Sequence, residues 1–198
     1  MHFGCIRTFD GTLFKHKASE KTFTYQRIAK GKFSLCPRLL EAGKQAGNAS
    51  MVYESDRFFQ RDPFRPSYDN PVYPEGAYGL RSIWVSVPYR NSSLGALLMY
   101  IITGEVQANG GKHLYLLRPT AKALGFYIQF GFHPDPDVAA GRRRFRLGHI
   151  KNSDHPEAEF AEKILMSRDY LIWRGSVEII LIFLTKKVTS VFDFDRPS

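Results

Sequence analysis

One stretch, SVPYRNSSLGALLMYI (residues 86–101), constrains the fold of this chain more than any other. An apolar run, Ile83–Val87, leads into it and stops at Pro88. Then come Arg90, Asn91, Ser92, Ser93, Leu94, Gly95 and Ala96, a cation followed by mostly small residues. After the turn the chain becomes apolar at helical spacing, with Leu94, Leu97, Leu98, Ile101 and Ile102 on one broad face. The pattern predicts a buried strand over 80–87, a tight turn, and a helix over 94–106 that Asn109-Gly110-Gly111 ends. A short strand over 113–117 and a helix from Thr120 to Phe130, stopped by Gly131, follow. A strand that returns through a helix to a neighbouring strand lies parallel to it, so 80–87 and 113–117 are expected to be a parallel pair.

A strand that runs through a small-residue turn into a helix presents unpaired backbone N–H groups, and the helix dipole makes them an anion site. Small side chains let a phosphate approach the backbone, and Arg90 offers a charge-assisted hydrogen bond. The pattern thus suggests a phosphate or pyrophosphate site from Arg90 to Ala96. Turns of this kind also occur with nothing bound, the small residues then serving only the tight turn.

The 198 residues suit a single domain, long enough to bury roughly 70% of the surface its unfolded chain exposes. The formal net charge of +9 favours an anionic partner, unless it is only a solvated basic surface. Cys5 and Cys36 are too few for a disulfide framework and lack metal-ligand spacing, which fits a reducing, cytoplasmic setting. MHFGCIRTFDGTLFKHK has no apolar h-region, and the longest apolar run, 179–184, is too short to span a bilayer. A chain without a secretory leader or membrane span is therefore expected. His149 and His155 have no ligand partners at helical spacing, and no metal is expected.

Elsewhere the chain reads less sharply. Residues 21–28 alternate weakly, as a strand does, and 35–45 read as a short helix opened by Pro37 and closed near Gly47. Residues 53–79 mix aromatics with prolines and read as an ordered, irregular segment, either a packed loop or the wall of a substrate site. Residues 143–150 read as a strand. Asp154-His155-Pro156-Glu157 is a capping-box pattern that opens a helix to about Met166. The β-rich runs 170–173 and 177–184 meet at Gly175-Ser176 as a hairpin would, and 188–194 read as a last edge strand. Arg142, Arg144 and Arg146 would share one strand face, either simply solvated or in contact with nucleic-acid phosphates.

Two of these segments resemble the GCN5-related N-acetyltransferase (GNAT) superfamily. YRNSSLGALL is similar to its acyl-CoA loop, Gln/Arg-x-x-Gly-x-Gly/Ala: Arg90 takes the first position, Ser93 stands where the first glycine would, and Gly95 with Ala96 completes the pattern. TAKALGFYIQFGF resembles the next signature, with Ala123, Tyr127 and Gly131-Phe132 in place and Thr120 where the family often has Asn. The match covers about 80–132, with both motifs in order at the expected distance. It implies an α/β (α+β) fold in one domain: a mixed, mostly antiparallel sheet flanked by helices, with a splayed parallel strand pair forming the acyl-CoA cleft. The pantetheine arm would pair with backbone groups near Val85 and Val87, and the pyrophosphate would sit on the turn. A serine at 93 carries backbone strain if that position needs a positive φ.

The resemblance implies direct transfer of an acetyl group from acetyl-CoA to a primary amine. Tyr127 matches the tyrosine that protonates the leaving thiolate; otherwise it is one more aromatic on the inner face of a helix. Glu75, just before the first motif strand, is the candidate base, with Glu54 and Asp69 as alternatives. The acceptor would be a protein amine, a small amine or an aminoacyl-tRNA. Two other functions fit the sequence: an acyl-CoA-binding or interaction module on the same fold, and a basic nucleic-acid-binding protein.

Overall fold

The computed structural model describes residues 9, 11–28, 34–53, 77–116, 121–135 and 173–195. Ten strands fall within them: β1 (Leu13–His16), β2 (Thr22–Gln26), β3 (Ser34–Leu35), β4 (Arg38–Glu41), β5 (Lys44–Tyr53), β6 (Ala77–Val85), β7 (His113–Leu116), β8 (His133–Pro134), β9 (Trp173–Ser176) and β10 (Phe192–Asp195). The helices are α1 (Leu94–Ala108), α2 (Ala121–Ile128) and α3 (Val177–Val191), with a 3₁₀ turn at Val87–Tyr89. One sheet runs β10-β1-β2-β4-β5-β6-β7-β9-β8, with β3 also paired to β5. Its described pairs are antiparallel except β6 with β7, which is parallel. This is the mixed, mostly antiparallel sheet that the two motifs implied.

The unit from 80 to 131 forms as its local signals dictate. The expected strand is β6, the small residues make the turn, and α1 ends at Asn109, where Gly110 takes a positive φ of 77°. Gly131, at φ 85°, closes the segment after α2. α1 buries residues on nearly every side, because β5 and β6 lie under it and α3 packs against it. Its single internal carboxylate, Glu105, is buried beside the Arg27 guanidinium (3.2 Å) and the Tyr25 hydroxyl (3.4 Å). A charge taken out of water needs such partners.

Two expectations fail. Residues 35–45 are not helical; they run from β3 through β4 into β5. Leu35 and Leu39 enter the core from strands, and Ala42 (φ 47°) with Gly43 (φ 78°) makes the two-residue turn between β4 and β5. Positive φ at both central residues matches the right-handed twist of a hairpin. The expected hairpin at Gly175-Ser176 is also absent: Trp173–Ser176 is a strand, and 177–184 is the first half of α3. Val177, Ile180, Leu184 and Val188 are buried at helical spacing, and that stripe continues past 184. The expected edge strand over 188–194 is shorter and later, at Phe192–Asp195, where it pairs with β1 at the sheet margin. The strand expected over 143–150, the helix over 154–166 and most of the segment 53–79 lie outside the described residues.

Candidate functional site

Among the described residues, β6 and β7 pair from Ala77↔His113 to Leu80↔Leu116, where the described part of β7 ends. β6 continues to Val85 against β5, with no second strand beside it among the described residues. Leu80 pairs with Met51 and Ser82 with Ser50, so Arg81 is an extra residue in β6. A bulge bends and twists its strand, and this one follows the last described pair of β6 with β7. On the other edge, the Ser86 N–H donates to the Ala46 carbonyl at 2.9 Å. Antiparallel alternation then turns the backbone groups of Ile83 and Val85 away from β5. Val87 does not continue the strand, which ends at Val85; it sits in the 3₁₀ turn, and its carbonyl accepts the Arg90 N–H at 3.2 Å.

The turn leads from β6 to the start of α1. Asn91 and Ser93 adopt positive φ of 65° and 60°. Ser93, in the place of the motif's first glycine, is the N-cap residue of α1, yet its side chain makes no capping hydrogen bond. The Leu97 N–H reaches the Ser93 carbonyl at 3.0 Å, and the amides of Leu94, Gly95 and Ala96 before it have no carbonyl of the helix to bond. No acidic side chain stands in this first turn to neutralise the helix dipole. Arg90 and Asn91 are exposed beside it. A latch fixes the near side of the turn: the Tyr89 hydroxyl donates to the Glu41 carboxylate. Lys21 lies 3.4 Å from Glu41 and 5.0 Å above the Tyr89 ring. The Tyr89 hydrogen bond holds the Glu41 carboxyl below its ordinary range, and the same bond raises the Tyr89 phenol.

α2 lies against this turn, since a Cβ on Gly95 would stand 3.4 Å from the Phe126 ring. The next residue, Tyr127, is 8% exposed and packs edge-on against Phe126 (5.2 Å) and Phe132 (5.6 Å). Its hydroxyl has no hydrogen-bond partner among the described residues, and burial pushes the phenol up to about 12. It is a protonated donor on α2, one residue along from the ring that meets the turn. Glu75 and Thr120 lie outside the described residues, as do Glu54, Asp69, Arg142, Arg144 and Arg146.

Three features were not anticipated from the sequence. The Arg81 bulge and the Tyr89–Glu41 latch depend on pairings across the chain. The third is a polar cluster around β7, where the Tyr115 hydroxyl donates to Asp135 (3.3 Å) and the Arg174 Nε lies 3.4 Å from the same oxygen. Burial, reinforced by the Asp135 charge, pushes Tyr115 up to about 12. Only the register of β7 with β9, Tyr115↔Arg174, assembles this cluster. Among the described residues, no three His, Cys, Asp or Glu side chains gather as metal ligands, and no helix is long and apolar enough to cross a membrane.

No family model and no curated protein matches the chain. Solved structures match its fold. The CoA-dependent acyl-homoserine lactone synthase BjaI, with MTA, aligns over 81% of this chain and 66% of that one, at 10% identity and a TM-score of 0.51. The same synthase with SAM and isopentyl-CoA aligns over 79% and 64%, at 11% identity and 0.50. A GNAT-family acetyltransferase from Staphylococcus aureus Mu50 aligns over 73% and 68%, at 13% identity and 0.43. The chain spans slightly less than two thirds of the synthase. The chain shares the fold of this synthase, a mixed, mostly antiparallel sheet with one parallel strand pair and flanking helices, which is the fold class that the resemblance to the GNAT superfamily implied.

Proposed function

We propose that this chain is an acyl-CoA-dependent N-acyltransferase that moves an acetyl group to a primary amine in a ternary complex. One observation carries the reading. β6 runs past its last described pair with β7, through the Arg81 bulge and the turn, into an uncapped, acid-free helix start against which α2 packs through Phe126, the neighbour of the Tyr127 phenol. A thioester donor with a pyrophosphate and a pantetheine arm fits that sequence of surfaces. The amides of Leu94, Gly95 and Ala96, with Arg90, Asn91, Ser92 and Ser93, would hold the pyrophosphate. Backbone groups of Val85 would pair with the amide-bearing arm. Acetyl-CoA would supply the acyl group already activated as a thioester.

The chain's own residues then have two tasks. The first is position: an amine held against the thioester carbon reacts as if at very high local concentration. The second is proton transfer. The Tyr127 hydroxyl, protonated at neutral pH, would give its proton to the departing sulfur. Glu75 is the candidate to receive the proton that the acceptor ammonium must lose, and Thr120 would line the cofactor side. The acceptor class is a protein amine, a small amine or an aminoacyl-tRNA. The basic run containing Arg142, Arg144 and Arg146 favours an anionic acceptor.

A binding module without turnover is the second reading. The strained Ser93 in a glycine's place favours it, because strain at the turn opposes tight phosphate binding. Thermal stabilisation by acetyl-CoA tests for the site, and CoA release with a cell lysate as acceptor tests for turnover. Stabilisation with release, and isotope label appearing on an amine, is expected. Stabilisation without release identifies the module, and no stabilisation at saturating acetyl-CoA rejects both.

A further inference from the structure

α3 buries Val177, Ile180, Leu184 and Val188 and turns a second apolar stripe outward. Ile179, Ile182 and Phe183 are 46%, 64% and 50% exposed. Ile128, at the end of α2, is 50% exposed, and α3 closes on the turn just after it: a Cβ on Gly131 would stand 2.8 Å from Ile179 and 3.6 Å from Phe183. Four of the seven exposed large apolar side chains among the described residues therefore fall on α3 or the neighbouring end of α2. Single exposed apolar residues are ordinary, whereas a grouped set marks a surface that something covers.

We propose that this face is covered by the same face of a second copy of the chain, α3 packing antiparallel on α3 across a two-fold axis. The charges beside the stripe select that occupant. Glu178 and Lys186 are both exposed, and neither has an ionic partner in its own chain among the described residues. They lie eight positions apart, about 12 Å along the helix. Ile182, the most exposed of the stripe, is midway between them. A two-fold axis through Ile182 sets Glu178 against Lys186 of the partner subunit, and the symmetry repeats the pair. A parallel arrangement would instead set Glu178 against Glu178 and Lys186 against Lys186. Isologous interfaces require such self-complementarity. One helix pair with the end of α2 sits at the small end of specific interfaces, so the dimer dissociates within an accessible concentration range.

Sedimentation or light scattering on the full chain over a concentration series tests this. The mass is expected to rise from 22.7 kDa toward twice that value. Ile182→Arg should remain at the monomer mass throughout, with circular dichroism confirming its fold. Glu178→Lys and Lys186→Glu, each alone, should weaken self-association about ten-fold, because each creates two like-charge contacts. Mixed together, these two variants should form a heterodimer at least as readily as the parent forms its dimer. A parent that stays monomeric at every concentration overturns the proposal. So does a dimer that Ile182→Arg leaves intact, or a mixture that does not recover association. An Ile182→Arg variant that melts earlier while parent and variant are both monomeric also overturns it, since the stripe would then be covered within the chain.

Discussion

α1 and α3 are both 15 residues long, and both begin after a serine whose side chain makes no capping bond. They start in opposite ways. Ser176 is extended (φ −68°, ψ 130°), so α3 leaves β9 without a loop, and Glu178 in its first turn offsets the helix dipole. Ser93 is left-handed (φ 60°, ψ 10°), follows a seven-residue turn from Ser86 to Ser92, and opens a helix with no acid in its first turn. A helix start that is only structural is neutralised at little cost. The start of α1 instead keeps its positive end bare and tolerates strain, the condition expected where an anionic ligand completes the site.

The largest expected effect follows from the phenol of α2, the helix that packs on that bare start. Tyr127→Phe keeps the ring that packs on Phe126 and Phe132, so the fold and acetyl-CoA affinity should hold while CoA release falls by ~10²–10⁴-fold. An earlier melt with an unchanged rate would return Tyr127 to the core alone. Alkaline titration adds an independent sign. The folded phenol is pushed up to about 12, above its unfolded value near 10, so its contribution to stability is present below about pH 10 and lost as pH rises toward 12. The Phe variant should lose less stability over that window than the parent, with Tyr115 supplying the remainder.

Arg90→Glu attacks the bare start directly. It should cost about ten- to a hundred-fold in acetyl-CoA affinity, measured by calorimetry, and leave the melting temperature near the parent's because residue 90 is exposed. Equal affinities in a folded variant would make the α1 start no more an anion site than the α3 start.

Glycine at each N-cap then separates the two helices by sign. Ser93→Gly should stabilise by about 1 kcal/mol, since it removes a side chain from the left-handed region. Ser176→Gly should destabilise by roughly 0.5–1 kcal/mol, because an extended serine gains nothing from glycine's freedom. For a chain of this size each kcal/mol moves the melting temperature by about 2–4 °C. Matching signs at the two positions would remove strain as the difference between them.

The smallest effect concerns the latch. The Tyr89 bond depresses the Glu41 carboxyl, so its stabilisation is present above the ordinary glutamate range and lost as pH falls through the lowered folded value. Tyr89→Phe removes the latch outright, so acetyl-CoA affinity should be slightly lower at neutral pH and should lack the latch-dependent decline that the parent shows on acidification.

The unit around α1 was readable because its signals are local. Pro88 stops β6, small residues make the turn, one face of 94–106 is apolar, and Gly110 closes the helix. Most of the candidate site follows from these residues, including the strain at Ser93, which shows only as a serine in a glycine's place. α3 was misread because 177–184 is rich in β-branched and aromatic residues, which suit a strand as well as a buried helix. The stripe of Val177, Ile180, Leu184 and Val188 was there to be counted, but it becomes decisive only over four turns. The strand propensity of 177–184 is overridden once α1 offers a partner for that stripe.

By itself, then, the sequence determined the elements whose start, stop and buried face lie within a few residues of one another: β6, its turn, α1, β7 and α2. Only the tertiary structure decided where β6 bulges, because the extra residue, Arg81, exists only in register with Ser50 and Met51 of β5. It alone joined Tyr89 to Glu41, 48 residues away, and Tyr115 to Arg174 through the β7–β9 pairing. Backbone and helix signals act over one or two turns of chain, whereas a pairing register is fixed by which faces must be buried together. That condition is settled only when distant segments meet.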